Sequence, residues 1–399
     1  MGVIKALDGN AAIAHGVMRS KVQLVAAYPI TPQTPIVETI ASLIDRKEYN
    51  ATYITAESEH SALSAIIGAS STGVRTFTAS ASHGLALMHE LTGTCSASRL
   101  PAVMAVVSRA IPGPMALWCD HSDIMSQRDQ GWIQIFAKSP QEALDFTMIA
   151  YRVSEDERVL TPTMVDIDGF YCSHLTEPVN VPTEEEAEQF IKEFKTVNAH
   201  LDTDTPYAMN NLTSPGIFTE IKRSQDLGMR SAAKVLDEKF EEFGGIFGRR
   251  YGRIMCDDVE GADTVLLCMG SMSGTAKHAV KLLRAGGRKV GICRVVAFRP
   301  FPTKEVAAAL NGAKNVAVID RVSAMGSFGP LYEEVLASMK LSGNSANAYS
   351  FVAGLGGRDI WEQTIENVVD KAEELGARGE PCEAPIWIDL KEKEVVYNA

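Results

Sequence analysis

Short apolar segments rich in β-branched residues alternate with helix-like stretches over roughly the first 175 of the 399 residues. This alternation is typical of a parallel sheet with helices packed on it. The pattern predicts strands over 22–28, 51–55, 74–79, 102–107 and 163–167, and helices over 34–45, 58–69, 84–96 and 140–155. We therefore expect an α/β fold whose ligands lie beyond the carboxyl ends of the strands.

The composition changes after residue 175. Residues 176–260 contain several prolines, an acidic run over 184–188 and a charged helical stretch over 232–243, which is typical of a connector. A second alternating unit follows, with strands predicted over 264–269, 289–295, 315–320 and 349–353 and helices over 274–284 and 331–339. We expect three parts, 1–175, 176–260 and 261–399, of which the last is another α/β domain.

Charge and hydropathy exclude several classes of function. The formal net charge is −12 and the chain has no run rich in Lys and Arg, so a nucleic-acid partner is not expected. The longest apolar runs fall far short of the roughly 20 residues that a bilayer span requires. The first residues also lack the apolar region of a signal peptide. We expect a cytoplasmic protein that does not contact a membrane.

The seven cysteines are scattered, and no two of them form a Cys-x-x-Cys pair. We expect reduced thiols. Iron–sulfur clusters and structural zinc sites need closely spaced thiolates, so we expect neither in this chain.

Three junctions between a strand and a helix contain residue types that act in binding or catalysis. They are the turn over 28–32, the segment over 57–61 and the long loop over 109–132. Each also has a purely structural explanation, because prolines form rigid turns and acidic residues suit a first helical turn. The group Asp120-His121-Ser122-Asp123 resembles metal-ligand spacing, but such groups in loops are usually hydrogen-bonded structure, and we predict no metal.

The sequence motifs in and around these segments favour a functional interpretation. The strings are AAYPITPQTP at 26–35, ESEHSALSAIIGASSTGVRTFTAS at 57–80, HGLALMHE at 83–90, RDQGWIQ at 128–134, DIDGFYCSH at 166–174, CRVVAFRPFPTKEV at 293–306 and FVAGLGGRDI at 351–360. Together they resemble the α-subunit of pyruvate:ferredoxin oxidoreductase and its 2-oxoacid relatives. The resemblance covers nearly the whole chain. It implies a pyrimidine-binding thiamine-diphosphate domain followed by a domain like the C-terminal domain of transketolase.

The resemblance also implies a role for one glutamate. A carboxyl group that hydrogen-bonds the pyrimidine N1′ favours the imino tautomer of thiamine, which removes the C2 proton. The motif ESEHSA assigns that role to Glu59 and not to Glu57, and the preceding turn contributes Pro29 and Ile30 to cofactor binding.

Two further residues match substrate-binding positions of the family. Arg109 corresponds to the arginine that binds the 2-oxoacid carboxylate, a contact suited to its paired N–H groups. Thr31 corresponds to the threonine that hydrogen-bonds the substrate.

Three residues depart from the family pattern. Cys119 stands where many pyruvate enzymes have Asn, Gly113 follows Arg109, and His83 replaces a common glutamine. A wider, more apolar pocket at Cys119 and Gly113 would accept a branched or aryl 2-oxoacid such as phenylglyoxylate. The roles of Cys119 and His83 are not evident from the sequence.

The chain lacks the Gly-Asp-Gly…Asn segment that holds a diphosphate through Mg²⁺. The resemblance therefore implies a β-subunit that binds the diphosphate and Mg²⁺, a γ-subunit and a ferredoxin-like subunit with [4Fe–4S] clusters. Coenzyme A is the expected acyl acceptor. Two alternatives stay open: a transketolase or lipoamide-linked dehydrogenase that shares these two domains, and a non-catalytic structural subunit.

Overall fold

A computed structural model of the chain describes residues 2–196, 201–204, 206 and 208–395. The chain divides into two compact units. Unit 1 comprises Met1–Arg253 and Val296–Pro302, and unit 2 comprises Ile254–Val295 and Thr303–Ala399. Most described residues of the expected connector therefore belong to unit 1, whereas residues 396–399 of the expected last domain lie outside the described residues. The boundaries at 175 and 260 stay a prediction.

The strands alternate with helices in both units, as the sequence pattern predicts. The strands are β1 (Val3–Leu7), β2 (Leu24–Ala27), β3 (Thr52–Thr55), β4 (Thr76–Ser80), β5 (Val103–Ser108), β6 (Ile133–Ala137), β7 (Thr163–Asp168), β8 (Glu177–Val181), β9 (Ile254–Asp257), β10 (Thr264–Cys268), β11 (Val290–Val295), β12 (Ala297–Arg299), β13 (Asn315–Asp320), β14 (Asn347–Val352) and β15 (Ile386–Trp387).

The helices range from single turns to nine turns. They are α1 (Gly9–Arg19), α2 (Thr34–Asp45), α3 (Glu59–Ser70), α4 (Ser82–Leu87), α5 (His89–Ala97), α6 (Ser122–Met125), α7 (Pro140–Ser154), α8 (Glu184–Phe190), α9 (Pro215–Phe247), α10 (Met272–Ala285), α11 (Thr303–Ala309), α12 (Pro330–Ser342) and α13 (Glu362–Arg378). Short 3₁₀ turns cover Leu355–Gly357 and Glu392–Glu394.

Unit 1 is built on a seven-stranded sheet with the order β12-β6-β7-β5-β4-β2-β3. Its strands run parallel except for β12, which pairs antiparallel with β6. The central strands β4, β5, β6 and β7 are buried along their whole length, as expected of a sheet covered on both faces. The core packs helices α1, α7 and α9 against this sheet. The predicted α/β class is confirmed.

Unit 2 is built on a six-stranded sheet with the order β15-β14-β13-β10-β11-β9. Its strands are parallel except for β9, which pairs antiparallel with β11. In that pair Cys256 lies directly opposite Cys293, and the two form a disulfide bond. The expectation that every thiol is reduced is therefore wrong for these two residues. The pairing of two distant strands is what brings the cysteines together, and cysteine spacing does not reveal it.

A buried ion pair fixes the end of α7 to the start of β4. The guanidinium of Arg75 donates from Nε to Oε1 of Glu155 (2.5 Å) and from Nη2 to Oε2 (2.7 Å). The two side chains are only 5% and 6% exposed. A bidentate pair at this depth satisfies both charges, whereas either charge alone would be costly to bury.

Replacing Glu155 by alanine is therefore expected to destabilise unit 1 by about 3–5 kcal/mol, because the Arg75 guanidinium loses its buried counter-charge. Urea unfolding followed by far-UV circular dichroism measures the change in the free energy of unfolding. The matched control is Glu238→Ala, which breaks the exposed Arg158–Glu238 pair and should change stability far less. Equal losses for the two variants would contradict this interpretation.

Candidate active site

Five neighbouring parallel strands of unit 1 end at the same edge of the sheet. In sheet order these are β7, β5, β4, β2 and β3, which end at Asp168, Ser108, Ser80, Ala27 and Thr55. The carboxyl edge of an open α/β sheet is the usual position of its ligand site. All three junctions that the sequence singles out follow one of these strands.

Glu59 is the first residue of α3, directly after the N-cap Ser58, whose hydroxyl accepts from the backbone N–H of Ser61 (3.2 Å). A negative charge at this position is favoured by the helix dipole. The Glu59 side chain is only 6% exposed, whereas Glu57 lies on the surface, where its carboxylate accepts from the Ser61 hydroxyl. Within the described part of the chain, no residue donates a side-chain hydrogen bond to the Glu59 carboxyl. The structure thus gives the two glutamates different surroundings, and the role assigned to Glu59 stays a prediction.

Gly84 forms the wall against which the Glu59 carboxyl packs. A Cβ atom at residue 84 would lie 2.4 Å from Oε1 of Glu59 and 2.8 Å from Oγ of Ser80. A Cβ atom does not approach other atoms that closely, so the present position of the carboxyl requires glycine here. Gly84 was not predicted from the sequence, in which only the motif His83-Gly84-Leu85 points to it.

Arg109 directly follows β5 and is 3% exposed. Its guanidinium donates from Nη1 to the carbonyl of Thr31 (2.9 Å) and from Nε to the carbonyl of Ala116 (2.9 Å). The Nη2 group makes no hydrogen bond with any described residue. Two main-chain carbonyls therefore fix the plane of the guanidinium and leave one N–H pair for another acceptor.

The turn over 28–32 lies beside Arg109 through this Thr31 carbonyl. The turn is held by Gln33, whose Nε2 donates to the carbonyl of Tyr28 (2.8 Å). Thr31 and Pro29 are exposed, and Ile30 is buried. The structure thus brings Thr31 and Arg109 into contact, but through the main chain of Thr31, and the role of its hydroxyl stays a prediction.

A buried polar cluster joins the loop over 109–132 to the end of β7. His121 contacts Asp168 through Nε2 and Oδ1 (2.7 Å), and Cys119 lies close enough that one ligand atom of each residue falls within 4.8 Å of the others. All three side chains are fully buried. Two ligands of one zinc ion, at bonds of about 2.0–2.1 Å, are more than about 3 Å apart, so the His121–Asp168 contact has the spacing of a hydrogen bond. Asp168 was not identified from the sequence, although its place at the end of β7 is a usable signal.

Two sequence models, for two domains of one protein family, match the chain. Residues 15–241 match the thiamine-diphosphate-binding domain of pyruvate flavodoxin/ferredoxin oxidoreductase, and residues 262–368 match core domain II of pyruvate:ferredoxin oxidoreductase. The chain belongs to this family. The resemblance inferred from the sequence motifs is confirmed, and the chain is a subunit of a 2-oxoacid oxidoreductase that uses thiamine diphosphate.

Curated relatives are similar over nearly their whole length. The pyruvate synthase subunit PorA of Methanothermobacter thermautotrophicus is 40% identical over 98% of this chain and 99% of its own. The PorA subunit of Methanocaldococcus jannaschii is 41% identical over 98% of both chains. The ketoisovalerate oxidoreductase subunit VorA of Pyrococcus horikoshii is 39% identical over 97% of this chain and 98% of its own.

Solved structures support the fold. The 2-oxoglutarate:ferredoxin oxidoreductase of Magnetococcus marinus superposes with a TM-score of 0.72 at 21% identity, over 92% of this chain and 65% of that chain. This chain thus spans just under two thirds of that larger polypeptide. A split-gene transketolase superposes with a TM-score of 0.53 at 12% identity. At these identities the likeness concerns the fold alone, and it confirms the predicted fold class.

None of the helices in the described part of the chain combines the length and the apolar character that a bilayer span requires.

Gly84→Ala is expected to lower the activity of the assembled oxidoreductase by about 100-fold, because the new methyl group must displace the Glu59 carboxyl and small misplacements of a catalytic group are costly. Reduction of an electron-accepting dye by the assembled enzyme measures the effect. Gly68→Ala is the control, since the same change in α3 meets no atom within 4 Å. Unchanged activity of the Gly84 variant would show that the carboxyl does not need its present position.

Proposed function

We propose that this chain is the thiamine-activating α-subunit of a 2-oxoacid:ferredoxin oxidoreductase and that pyruvate is its substrate. The observation that carries the proposal is the Glu59 carboxyl, which is buried at the start of α3 and seated against Gly84 at the carboxyl edge of the sheet. The family assignment supplies the cofactor class, and the site supplies a carboxyl in the environment that its pyrimidine needs.

Thiamine diphosphate, when bound, supplies the carbanion that attacks the 2-oxo carbon and accepts the electrons left after decarboxylation. Glu59 holds a proton at the pyrimidine N1′, and no described side chain competes for its carboxyl by a hydrogen bond. Burial strengthens this hydrogen bond, because few water molecules reach the group. Because residue 84 is glycine, no side chain at this position occupies the space beside the Glu59 carboxyl, which would hold the pyrimidine of the cofactor.

Arg109 binds the substrate carboxylate in this proposal. Its Nη2 group is available, and its charge is held in place by the carbonyls of Thr31 and Ala116. The exposed Thr31 hydroxyl lies on the same turn and is assigned a hydrogen bond to the substrate. Pro29 and Ile30 in that turn line the cofactor side.

The remaining parts of the enzyme are assigned to other chains. We propose a β-subunit for the diphosphate and Mg²⁺, a γ-subunit and a ferredoxin-like subunit with [4Fe–4S] clusters. Coenzyme A is the proposed acyl acceptor, and the cytoplasm is the proposed compartment.

Two observations bear on the size of the substrate. Relatives named for pyruvate and for ketoisovalerate are almost equally identical to this chain, which makes a branched 2-oxoacid the second candidate. Cys119 is fully buried beside His121 and Asp168, so its presence in place of Asn does not widen an open pocket. The argument for an aryl substrate such as phenylglyoxylate thus loses its main support.

Glu59→Gln is expected to lower kcat of the assembled complex with pyruvate by about 100-fold or more, since the proton at N1′ is no longer exchanged with a carboxyl group. Dye reduction measures kcat, and Glu57→Gln is the matched control, because its carboxylate is exposed and two residues away. Full activity of the Glu59 variant would favour a non-catalytic structural role for the chain.

A substrate panel is expected to give the highest kcat/KM with pyruvate, an intermediate value with 3-methyl-2-oxobutanoate and the lowest with phenylglyoxylate. The panel is measured on the intact complex with and without coenzyme A, by dye reduction and identification of the product. Acyl-CoA as product supports the proposed acceptor. Sugar-phosphate transfer without dye reduction would instead favour the transketolase-type alternative, and acyl transfer to lipoamide the dehydrogenase type.

A further inference from the structure

Asp123 is a fully buried carboxylate that the proposed mechanism does not use. It lies in the first turn of α6, and its Oδ2 accepts from the backbone N–H of Ser82 (2.7 Å) and of Arg109 (3.0 Å). Its Oδ1 accepts from the N–H of Ile124 (2.7 Å). One carboxylate oxygen thus joins the segment after β4, at Ser82, to the segment after β5, at Arg109.

The two segments that Asp123 joins carry different parts of the site. Arg109 provides the guanidinium, whereas Ser82 begins α4, in which Gly84 forms the wall for Glu59. Ser82 has a positive φ of 50°, an unfavourable conformation for a residue with a side chain, and the Asp123 hydrogen bond helps to retain it. The Ser82 hydroxyl adds a second tie by donating to the carbonyl of Ala110 (2.6 Å).

We propose that Asp123 is a positioning residue that holds the substrate-binding Arg109 and the Glu59 wall at a fixed distance from each other. This inference rests on the proposed function, because it assigns Asp123 a task only if Arg109 and Glu59 act as described. Asp123 touches neither the proposed substrate nor the proposed cofactor position. It acts through the main chain of Arg109 and through the start of α4.

The electrostatics of Asp123 agree with this role. The pKa of Asp123 is raised to about 6, chiefly by burial and to a smaller extent by Asp120. The three backbone N–H donors oppose this shift, because they favour the charged form. The carboxylate is therefore charged at neutral pH and accepts from all three donors. The other charged groups that face it are Arg109, which stays positive, and Asp166, whose pKa burial raises well above its ordinary value. Below pH 6 the group takes up a proton and one oxygen ceases to be a good acceptor.

The test is Asp123→Asn in the assembled complex, with kcat and KM for pyruvate measured by dye reduction. The amide has the same shape, but its NH₂ group must face an N–H donor. We expect kcat/KM to fall at least about tenfold, with a higher KM through Arg109 and a lower kcat through Glu59. Asp120→Asn is the control, because Asp120 lies on the same loop and contacts neither Arg109 N nor Ser82 N. We expect less than a twofold change for it.

A second readout separates positioning from stability. The ratio of wild-type to variant kcat/KM should shrink about fourfold between pH 7.5 and 5.5, because with a pKa of about 6 only about a quarter of the wild-type carboxyls are ionised at the lower pH. Forming the ratio cancels every other titrating group that the two proteins share. A constant ratio, or a loss confined to the melting temperature, would overturn the proposal. If Asp123→Asn does not assemble, Asp123→Ser, which keeps one acceptor oxygen, takes its place with the same expected result.

Glu59→Gln and Arg109→Lys are measured in the same assay. If both retain full activity, the proposed function fails. If both lose activity while Asp123→Asn behaves like Asp120→Asn, only the role of Asp123 fails.

Discussion

Parallel strand direction is the constraint on which the whole site depends. Because β7, β5, β4, β2 and β3 run the same way, the segments that follow them meet at one edge of the sheet. These strands have four to six residues, so reversing one of them would move its following segment by about 13–20 Å, at roughly 3.3 Å per residue, to the opposite edge. The contact between Arg109 and Thr31 joins the segments that follow β5 and β2, and the contact between Gly84 and Glu59 joins those that follow β4 and β3. In each case one strand of the sheet lies between the two. The residues of the candidate site are therefore brought together by the topology of the sheet and not by proximity in sequence.

The same edge buries several carboxyl groups, and each is compensated differently. Glu59 lies at a helix start, Asp123 accepts from three backbone N–H groups, and Asp168 contacts His121. Asp166 accepts from the Ser108 hydroxyl, and burial raises the pKa of its carboxyl well above its ordinary value. Since a buried polar group without a partner is costly, these contacts fix the loops to one another more strictly than apolar packing alone would.

The sequence predicts regular elements well where local signals and tertiary packing agree. Helix α2 occupies 34–45 as predicted, because it has an early proline and apolar residues at helical spacing. The helix predicted over 84–96 is instead two helices, α4 and α5, which meet at the buried Met88. The backbone angles of Met88 stay nearly helical, so no residue that interrupts a helix marks the boundary in the sequence. The pattern did not predict β1, β6, β8, β9, β12 and β15. Of these, β1, β8, β9 and β12 belong to antiparallel pairs with strands elsewhere in the chain, which a local sequence pattern does not reveal.

The candidate site shows the same division. Glu59, Thr31 and Arg109 are proposed as site residues from the sequence motifs alone, because the proposed chemistry restricts which residues can stand there. Gly84 and Asp123 are not, because their tasks concern distances between segments that only the folded sheet brings together. A sequence motif indicates which groups a reaction needs. The residues that fix the distances between those groups depend on the folded geometry and leave no such motif.

This division bears on how a shared site can form. The Glu59 carboxyl is seated by a glycine backbone and the Arg109 guanidinium by two carbonyls, while the buried Asp123 carboxylate holds the backbone N–H of Arg109, all within unit 1. Each group is therefore oriented by the folding of this chain, before any other chain contributes. Ordering that is completed during folding does not have to be repeated at association, where every immobilised side chain weakens binding.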